Sequence, residues 1–409
     1  MEDVEVPHYF TCPISLQIMK DPVTVITGIT YDRDSIEQWL YKIQNHTCPV
    51  TKQPIPLDSD LTPNHTLRRL IQAWCTDNSS RGINPIPTPK TPLTKDQILK
   101  LLKDLGCQPL FRLKIIKQLE LLTAENGRNS QLMAEAGVFD HVLSFIVTCF
   151  DQNNQSTEGL DEALSIINLL RPRIHPSELN RVRINTDRVM DSLAWILGCS
   201  DVKNHVKAEV ITLLKLFIDN YSNPSELGRL NPQFFNYVVG VLKGSFGNNN
   251  NINAVLEIMM EICPWGRNRV MLVESGAVFE LVDIGFGSTM RKTIEMVLGV
   301  LLQLCCCAEG RAEFLRHKGS IFVVSSRIFR LSPAADDRAV KILSLICRFS
   351  GTKQVLQEML EVGAVFKLCG LLQTECDHYL KEKAREILKS HSEEWKNSPC
   401  IGDSRCYPN

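Results

Sequence analysis

The chain lacks an excess of charge of either sign. Its 45 Lys and Arg stand against 46 Asp and Glu, a net charge of -1 over 409 residues. No global field therefore draws it to nucleic acid or to anionic lipid, and short basic runs such as Arg68-Arg69 read as solvated helix faces. It also lacks a long apolar run. The longest, Met296 to Ala308, is broken by Gln303, whereas a membrane span needs roughly 20 apolar residues. No membrane span is expected, and this run reads as a buried helix. The opening residues, MEDVEVPH, are acidic and carry no apolar core, so no secretory signal is expected. A soluble, intracellular protein of the cytoplasm is the expectation.

No C-x-x-C pair occurs, although cysteines number 15. Most stand singly in apolar helical runs, as Cys199, Cys263 and Cys347 do. In a reducing compartment they act as small core hydrophobes. The run Cys305-Cys306-Cys307 does not suit a standard metal site, because neighbouring helical residues point in different directions. It is expected in the core. What is present is an ordinary globular mixture, 44% hydrophobic and 22% charged, in a length that suits two or three domains.

Three segments and a tail follow along the chain. Residues 1–76 mix β-type and helical signals. Val23-Thr24-Val25-Ile26-Thr27 is a β-branched run ended by Gly28, a strand and turn. Asp32 is a good N-cap for a helix from Arg33 to about Ile43, with an apolar stripe of Ile36, Leu40 and Ile43. Pro63-Asn64 opens a second helix whose stripe is Leu67, Leu70, Ile71 and Trp74. Residues 77–93 hold Pro85, Pro87, Pro89 and Pro92 and read as a stiff, extended linker. Residues 94–395 are helical throughout, and 396–409 form a flexible tail.

The helical segment repeats itself. Ala163, Ala208, Ala254, Ala339 and Ala384 each sit early in an apolar helix at intervals of about 45 residues, with one double gap centred on Ile294. A second series marks another helix of each unit: Gly137, Gly276, Gly319 and Gly363, with weaker copies near Thr186 and Asn231. Two series with one period imply an α-solenoid of armadillo or HEAT type, in which each unit covers its neighbour's apolar face. The glycines suit tight turns and close helix packing. The polar loops Asp151 to Gly159 and Gly244 to Asn253 read as surface excursions. The expected fold is mainly α, a small α+β domain followed by this solenoid.

The first segment carries the chemistry. Its string runs Phe10-Thr11-Cys12-Pro13-Ile14-Ser15-Leu16-Gln17-Ile18-Met19-Lys20-Asp21-Pro22-Val23, then Gly28-Ile29-Thr30-Tyr31-Asp32-Arg33, Trp39, Cys48-Pro49-Val50-Thr51-Lys52 and Pro63-Asn64. This resembles a U-box over the whole segment. A U-box followed by armadillo-like repeats resembles the plant U-box family of ubiquitin ligases, in the subgroup without an extra N-terminal helical domain. A RING domain, the nearest relative in shape, holds two zinc ions. Here Ser15 and Thr51 stand where ligands would be needed, so Cys12 and Cys48 are lone thiols and the domain is expected to be zinc-free. Polar contacts among Asp21, Asp32, Arg33, Thr51 and Arg68 must then tie its two loops, with pairs that stay open at this point.

The resemblance implies a shallow apolar groove that grips a ubiquitin-conjugating enzyme loaded with ubiquitin. By resemblance, Ile14 and Leu16 come from loop one, Trp39 from the helix and Pro49 from loop two. The alternative is that these residues are core, which is most live for Trp39. Cys12, Ile18 and Met19 are the better core candidates. Lys52 matches a position where related ligases often carry a basic residue that favours the reactive, folded-back thioester; the alternative is an ordinary loop lysine. No covalent catalytic residue is expected. Cys12 and Cys48 lack an evident base, although His46 is near Cys48. Transfer would work by proximity, with a substrate lysine as nucleophile. No cofactor is implied.

The implied function is a ubiquitin ligase whose repeats hold a protein substrate. The competing class is a non-catalytic armadillo adaptor with an inert U-box. Transport receptors with these repeats use rows of Asn and Trp, and here only Asn236 and Trp195 suit such a role. The apolar docking positions also speak against an inert U-box. Dimerisation is left open by the sequence. A role in plant stress and defence is inherited from the resemblance.

Overall fold

Short β-branched runs and a glycine turn shape the first segment. In a computed structural model of the chain, Pro22–Thr24 (β1) pairs antiparallel with Thr30–Asp32 (β2), Val23 lying opposite Tyr31. Gly28 makes the turn between them at φ +80°, a conformation that residues with a Cβ rarely adopt. Thr62–Pro63 (β3) pairs with the other edge of β1, giving the order β2-β1-β3. The structure describes residues 6–43, 45–56, 59–86, 93–107, 111–151, 157–174, 186–220, 224–243 and 249–396. Linker residues 87–92, loop residues 152–156 and 244–248, and tail residues 397–409 lie outside them.

The central helix starts where expected but changes pitch. It is α-helical over Arg33–Glu37 (α1) and opens into a π-turn over Gln38–Lys42. The wider turn rotates the stripe: Ile36 and Leu40 are buried, whereas Ile43 is 62% exposed. Asp32 sits at the N-cap position, yet its carboxylate does not cap. It accepts the backbone N–H groups of Lys20 at 2.7 Å and Asp21 at 2.8 Å, binding the first loop to β2. The second helix, His65–Asp77 (α2), is capped by Asn64, whose side chain accepts the Leu67 N–H at 3.0 Å. Ile71 and Cys75 form its inner face, and Leu67 and Trp74 pack alongside. Leu70 is exposed instead, because it lies about 100° around the helix from Ile71 and the small core takes only one of the two. Phe10, Cys12, Met19, Val23 and Tyr31 complete this core, and Ile14, Ile18 and Trp39 rest on its rim.

The chain divides into two units, residues 1–145 with 158–175 and residues 146–157 with 176–409. The first unit holds the small domain together with helices that include Arg112–Glu125, Gly127–Glu135 and Leu160–Leu170. Ala163 is fully buried there.

In the second unit the long helices Asn204–Asp219, Asn249–Ile262, Arg291–Cys305, Pro333–Ser350 and His378–Ser390 stack in chain order. Pairs of short helices run between the later ones, such as Lys353–Glu361 with Ala364–Gln373. Ala339 and Ala384 are buried at the crossings, while Ala208 and Ala254 are half-buried. The glycine series has two uses. Gly276 and Gly363 turn the chain at φ +87° and +77°, as Gly137 does at +76° in the first unit. Gly319 keeps a negative φ and is needed for space, since a Cβ there would stand 2.4 Å from the Phe286 ring. Cys263, Cys305 and Cys347 are core residues and Cys199 is half-buried. The cysteine run is not wholly core. The helix ends at Cys305, and the turn that follows leaves Cys306 exposed and Cys307 half-buried. Among the described residues no single helix is long and apolar enough to cross a membrane.

Within the second unit, neighbouring repeats are joined by buried polar bonds as well as apolar faces. Asn268 is fully buried, and its Nδ2 donates to the backbone oxygens of Leu227 at 2.8 Å and Ile262 at 3.0 Å. Asn268→Ala leaves both carbonyls short of a donor. It is expected to destabilise the second unit by about 1–3 kcal/mol, read as a lower urea midpoint at unchanged slope.

Candidate functional site

Two loops of the first segment carry nearly the same string. Thr11-Cys12-Pro13-Ile14-Ser15-Leu16-Gln17 matches Thr47-Cys48-Pro49-Val50-Thr51-Lys52-Gln53. They also fold alike. In loop one the Cys12 N–H donates to the Gln17 oxygen at 2.8 Å and the Leu16 N–H to the Cys12 oxygen at 2.9 Å. In loop two the matching bonds are Cys48 to Gln53 at 2.7 Å and Lys52 to Cys48 at 2.9 Å. Each loop closes on an isolated bridge, Thr11 with Ile18 and Thr47 with Pro54. At the same place in each, the chain turns left-handed: Leu16 at φ +56° and Lys52 at φ +60°. A residue with a Cβ is strained there by about 1–2 kcal/mol. Such outliers gather at functional sites, because the surroundings must impose them.

The loops are held through their sulfurs. The Asp32 N–H donates to the Cys12 Sγ at 3.3 Å. Around the buried Cys48 Sγ stand the Thr27 hydroxyl at 3.2 Å, the Tyr31 hydroxyl at 3.0 Å and the Thr51 N–H at 3.5 Å. Tyr31 also accepts the Val50 N–H at 3.3 Å, so one phenol organises the tip of loop two. Of the polar residues expected to tie the loops, Arg33 pairs with Asp21 at 2.6 Å and Asp32 takes the two N–H groups already described. Thr51 acts within its own loop. The Arg68 Nε is buried with no partner among the described residues.

Burial pushes the Cys48 thiol up, but the hydrogen bonds from Thr27, Thr51 and Tyr31 outweigh it and set it at about 6, below an ordinary 9.0. Tyr31 is moved the opposite way, by burial and by its bond to Cys48, which keeps it a donor. A thiol made more acidic by folding stabilises the fold where it is ionised. Stability should therefore rise with pH from about 6 to about 9, and this contribution is lost as pH falls through about 6. Thermal midpoints across that range check the slope, and Cys48→Ser should flatten it. Tyr31→Phe leaves the sulfur and the Val50 N–H short of a partner and should cost about 1–3 kcal/mol, with the larger loss above about pH 6, where the thiol is ionised.

The docking candidates are presented in different ways. Leu16 is 76% exposed, and Lys52 is exposed as well. Ile14, Trp39 and Pro49 are half-buried, the first two resting on the domain core. The Trp39 Nε1–H donates to the Thr47 oxygen at 2.8 Å, which joins the helix to the loop that carries Pro49 and Lys52. Leu16 borders a cleft of about 540 Å³ with Ile18, Lys20 and Ile83, and Ile14, Trp39 and Pro49 do not line it. Val50, 52% exposed, occupies the position in loop two that Ile14 occupies in loop one. It belongs with the candidates, and the repeated Thr-Cys-Pro string is the signal that reveals it. Among the described residues no group of three or more His, Cys, Asp or Glu is arranged to hold a metal ion.

Comparison with known proteins places both segments. The family described as "U-box domain" matches residues 6–80, and the "Plant U-box protein ARM repeat region" matches residues 97–407. The chain is 43% identical to "E3 ubiquitin-protein ligase PUB24" of Arabidopsis thaliana, over 98% of this chain and 95% of that protein. It is 43% identical to "E3 ubiquitin-protein ligase PUB23" of the same plant, over 98% of this chain and 96% of that one. For the fold alone, it superposes with a TM-score of 0.55 and 13% identity on a structure described as "A conserved phosphorylation switch controls the interaction between cadherin and beta-catenin in vitro and in vivo", covering 84% of this chain and 61% of that one.

Proposed function

The chain belongs to the plant U-box proteins with armadillo repeats, and from that membership we propose how its two parts divide the work. It is a ubiquitin-protein ligase of the RING/U-box type. The U-box takes up a conjugating enzyme that carries ubiquitin as a thioester, and the repeats hold a protein substrate. The substrate lysine amine attacks the thioester carbonyl, an isopeptide bond forms, and the conjugating enzyme's thiol leaves. The ligase supplies proximity and orientation, which are worth several kcal/mol of barrier in well-aligned reactions. Ile14, Leu16, Trp39 and Pro49 supply the apolar contact, and Lys52 biases the loaded enzyme toward its reactive form.

One observation carries this reading. Leu16 is an apolar side chain that is 76% exposed on a left-handed backbone. Held out at that conformational cost, it contributes little to its own core and is suited to burial by a partner. The alternative of a non-catalytic adaptor is disfavoured by relatives named as ligases along their whole length. Action in the cytoplasm, in plant stress and defence, is inferred from the family resemblance, and a fluorescent fusion imaged in plant cells tests the compartment.

The direct test mixes the purified chain with activating enzyme, conjugating enzyme, ubiquitin and ATP. Ubiquitin conjugates on the chain, and free ubiquitin chains, are the expected products. Their absence with a broad panel of conjugating enzymes would return the adaptor to first place.

A further inference from the structure

The turn of helix that carries Trp39 also touches the repeat region. Over Gln38–Lys42 the helix is of π type, and the Ile43 N–H donates to the Gln38 oxygen at 3.0 Å, five residues back. Such turns are rare and recur at functional sites. On this turn Trp39 binds loop two through Thr47, and the Asn45 N–H donates to the Trp39 oxygen at 3.2 Å. Two residues on, Tyr41 lies against Gly127, the first residue of helix Gly127–Glu135. A Cβ on Gly127 would stand 2.8 Å from the Tyr41 Cβ and 3.5 Å from its backbone carbonyl carbon. The obstacle lies at the root of the side chain and in the main chain, so no rotamer change clears it.

One turn earlier, Glu37 is 2% exposed. Its Oε1 lies 3.7 Å from the Arg33 guanidinium, and its Oε2 has no partner among the described residues. Burial pushes the Glu37 carboxyl above the usual carboxylate range, and the charges of Arg33 and of Arg128, beside Gly127, draw it back only in part. Arg128 lines one cleft with Arg33 and Tyr41, which places its guanidinium on this side of the junction. Arg33 in turn pairs with Asp21 at 2.6 Å, at the end of loop one. Both docking loops thus connect to this junction, loop one through Asp21 and Arg33, loop two through Thr47 and Trp39. Beside it opens a cleft of about 630 Å³ between Arg33, Tyr41 and Asp60 on one side and Arg128, Gln131 and Glu135 on the other. At the Gly127–Tyr41 contact there is no room for a side chain on residue 127.

We propose that Gly127 and Arg128 are positioning residues for the conjugating-enzyme site: they brace the π-turn from the repeat side and so hold Trp39 and the two loops in their docking arrangement. The repeat region then does more than carry substrate, because its helix Gly127–Glu135 is part of the scaffold of the docking surface. This rests on the reading that Trp39 contributes to docking.

The test uses the full chain and single-turnover discharge of a loaded conjugating enzyme onto free lysine, titrated with ligase. In Gly127→Leu the ligase concentration that half-saturates discharge should rise about tenfold, with the maximal rate little changed. Arg128→Glu, which adds no bulk, should raise it in the same direction by a smaller factor and stands in should Gly127→Leu fold poorly. Gly198→Leu is the control. It forces a clash of its own, against the Tyr237 ring, at a place within the second unit. It should lower the melting temperature and leave half-saturation unchanged, which separates positioning from loss of repeat stability. Trp39→Ala completes the set. If it leaves discharge unchanged, the docking role of Trp39 is wrong. If it weakens discharge while Gly127→Leu and Arg128→Glu both stay within about twofold of wild type, the docking role stands and the brace is overturned.

Discussion

Replacing Leu16 with glycine is expected to leave the U-box folded and to end efficient ubiquitin transfer. The side chain is 76% exposed, so the core loses little with it. The backbone at φ +56° suits glycine better than leucine. Relief of about 1–2 kcal/mol of left-handed strain opposes an entropic cost of about 0.5–1 kcal/mol. The melting temperature should hold or rise. Docking loses the burial of one leucine, about 1.5–3 kcal/mol, hence about ten- to a hundredfold in affinity. Thermal melting and single-turnover discharge on the same sample decide the matter. A sharply lower melting temperature would make Leu16 a folding residue. Normal discharge at low ligase would remove it from the docking face. Ile14→Ala is a poorer probe, because Ile14 also rests on the core and its truncation weakens both functions together.

Lys52→Ala should slow discharge by about ten- to a hundredfold while the uncharged conjugating enzyme still docks. Lys52 is the counterpart of Leu16 in the second loop, exposed and left-handed at φ +60°. The same backbone device thus presents an apolar group in one loop and a cation in the other. A charge-assisted hydrogen bond is worth about 1.5–3 kcal/mol, and about 1.4 kcal/mol is tenfold in rate. Lys52→Arg should retain or raise activity, since arginine reaches further and offers more donors. Lys52→Gly should be as slow as Lys52→Ala yet fold at least as well. Discharge at saturating ligase is the measurement. A Lys52→Ala rate within about twofold of wild type would leave Lys52 an ordinary surface lysine.

Much of the fold was legible because its signals are periodic or conformational. The alanine and glycine series predicted stacked helices, and the long helices of the second unit do stack in order. Gly28 and Asn64 marked a turn and a cap that the backbone adopts. The misreadings have local causes. Ile43 fell off its stripe because the helix widens into a π-turn, and periodicity assumes one constant pitch. Asp32 looked like a cap but turned its carboxylate to Lys20 and Asp21, since a closing loop offered two donors at once. Leu70 was assigned to a face already taken by Ile71. Cys306 followed a helix end that no residue signal announced. The candidate site was legible as a string of residue types, while the left-handed turns at Leu16 and Lys52 were not. Neither residue favours that conformation, so only the closed hydrogen bonds of each loop reveal it.

The sequence by itself determined the two-part plan, the repeat period and the family, because order and spacing survive in a one-dimensional string. It also contained the doubled Thr-Cys-Pro motif from which the twin loops follow. Tertiary structure decided which atoms surround the sulfurs at the loop centres. Thr27 and Tyr31 lie far along the chain from Cys48, and only the packed β1–β2 turn brings their hydroxyls to its sulfur. It likewise decided that Gly127 lies against Tyr41 of the π-turn. That contact joins residues 41 and 127 across an intervening linker, and contacts between distant positions depend on how surfaces pack, which no local propensity encodes.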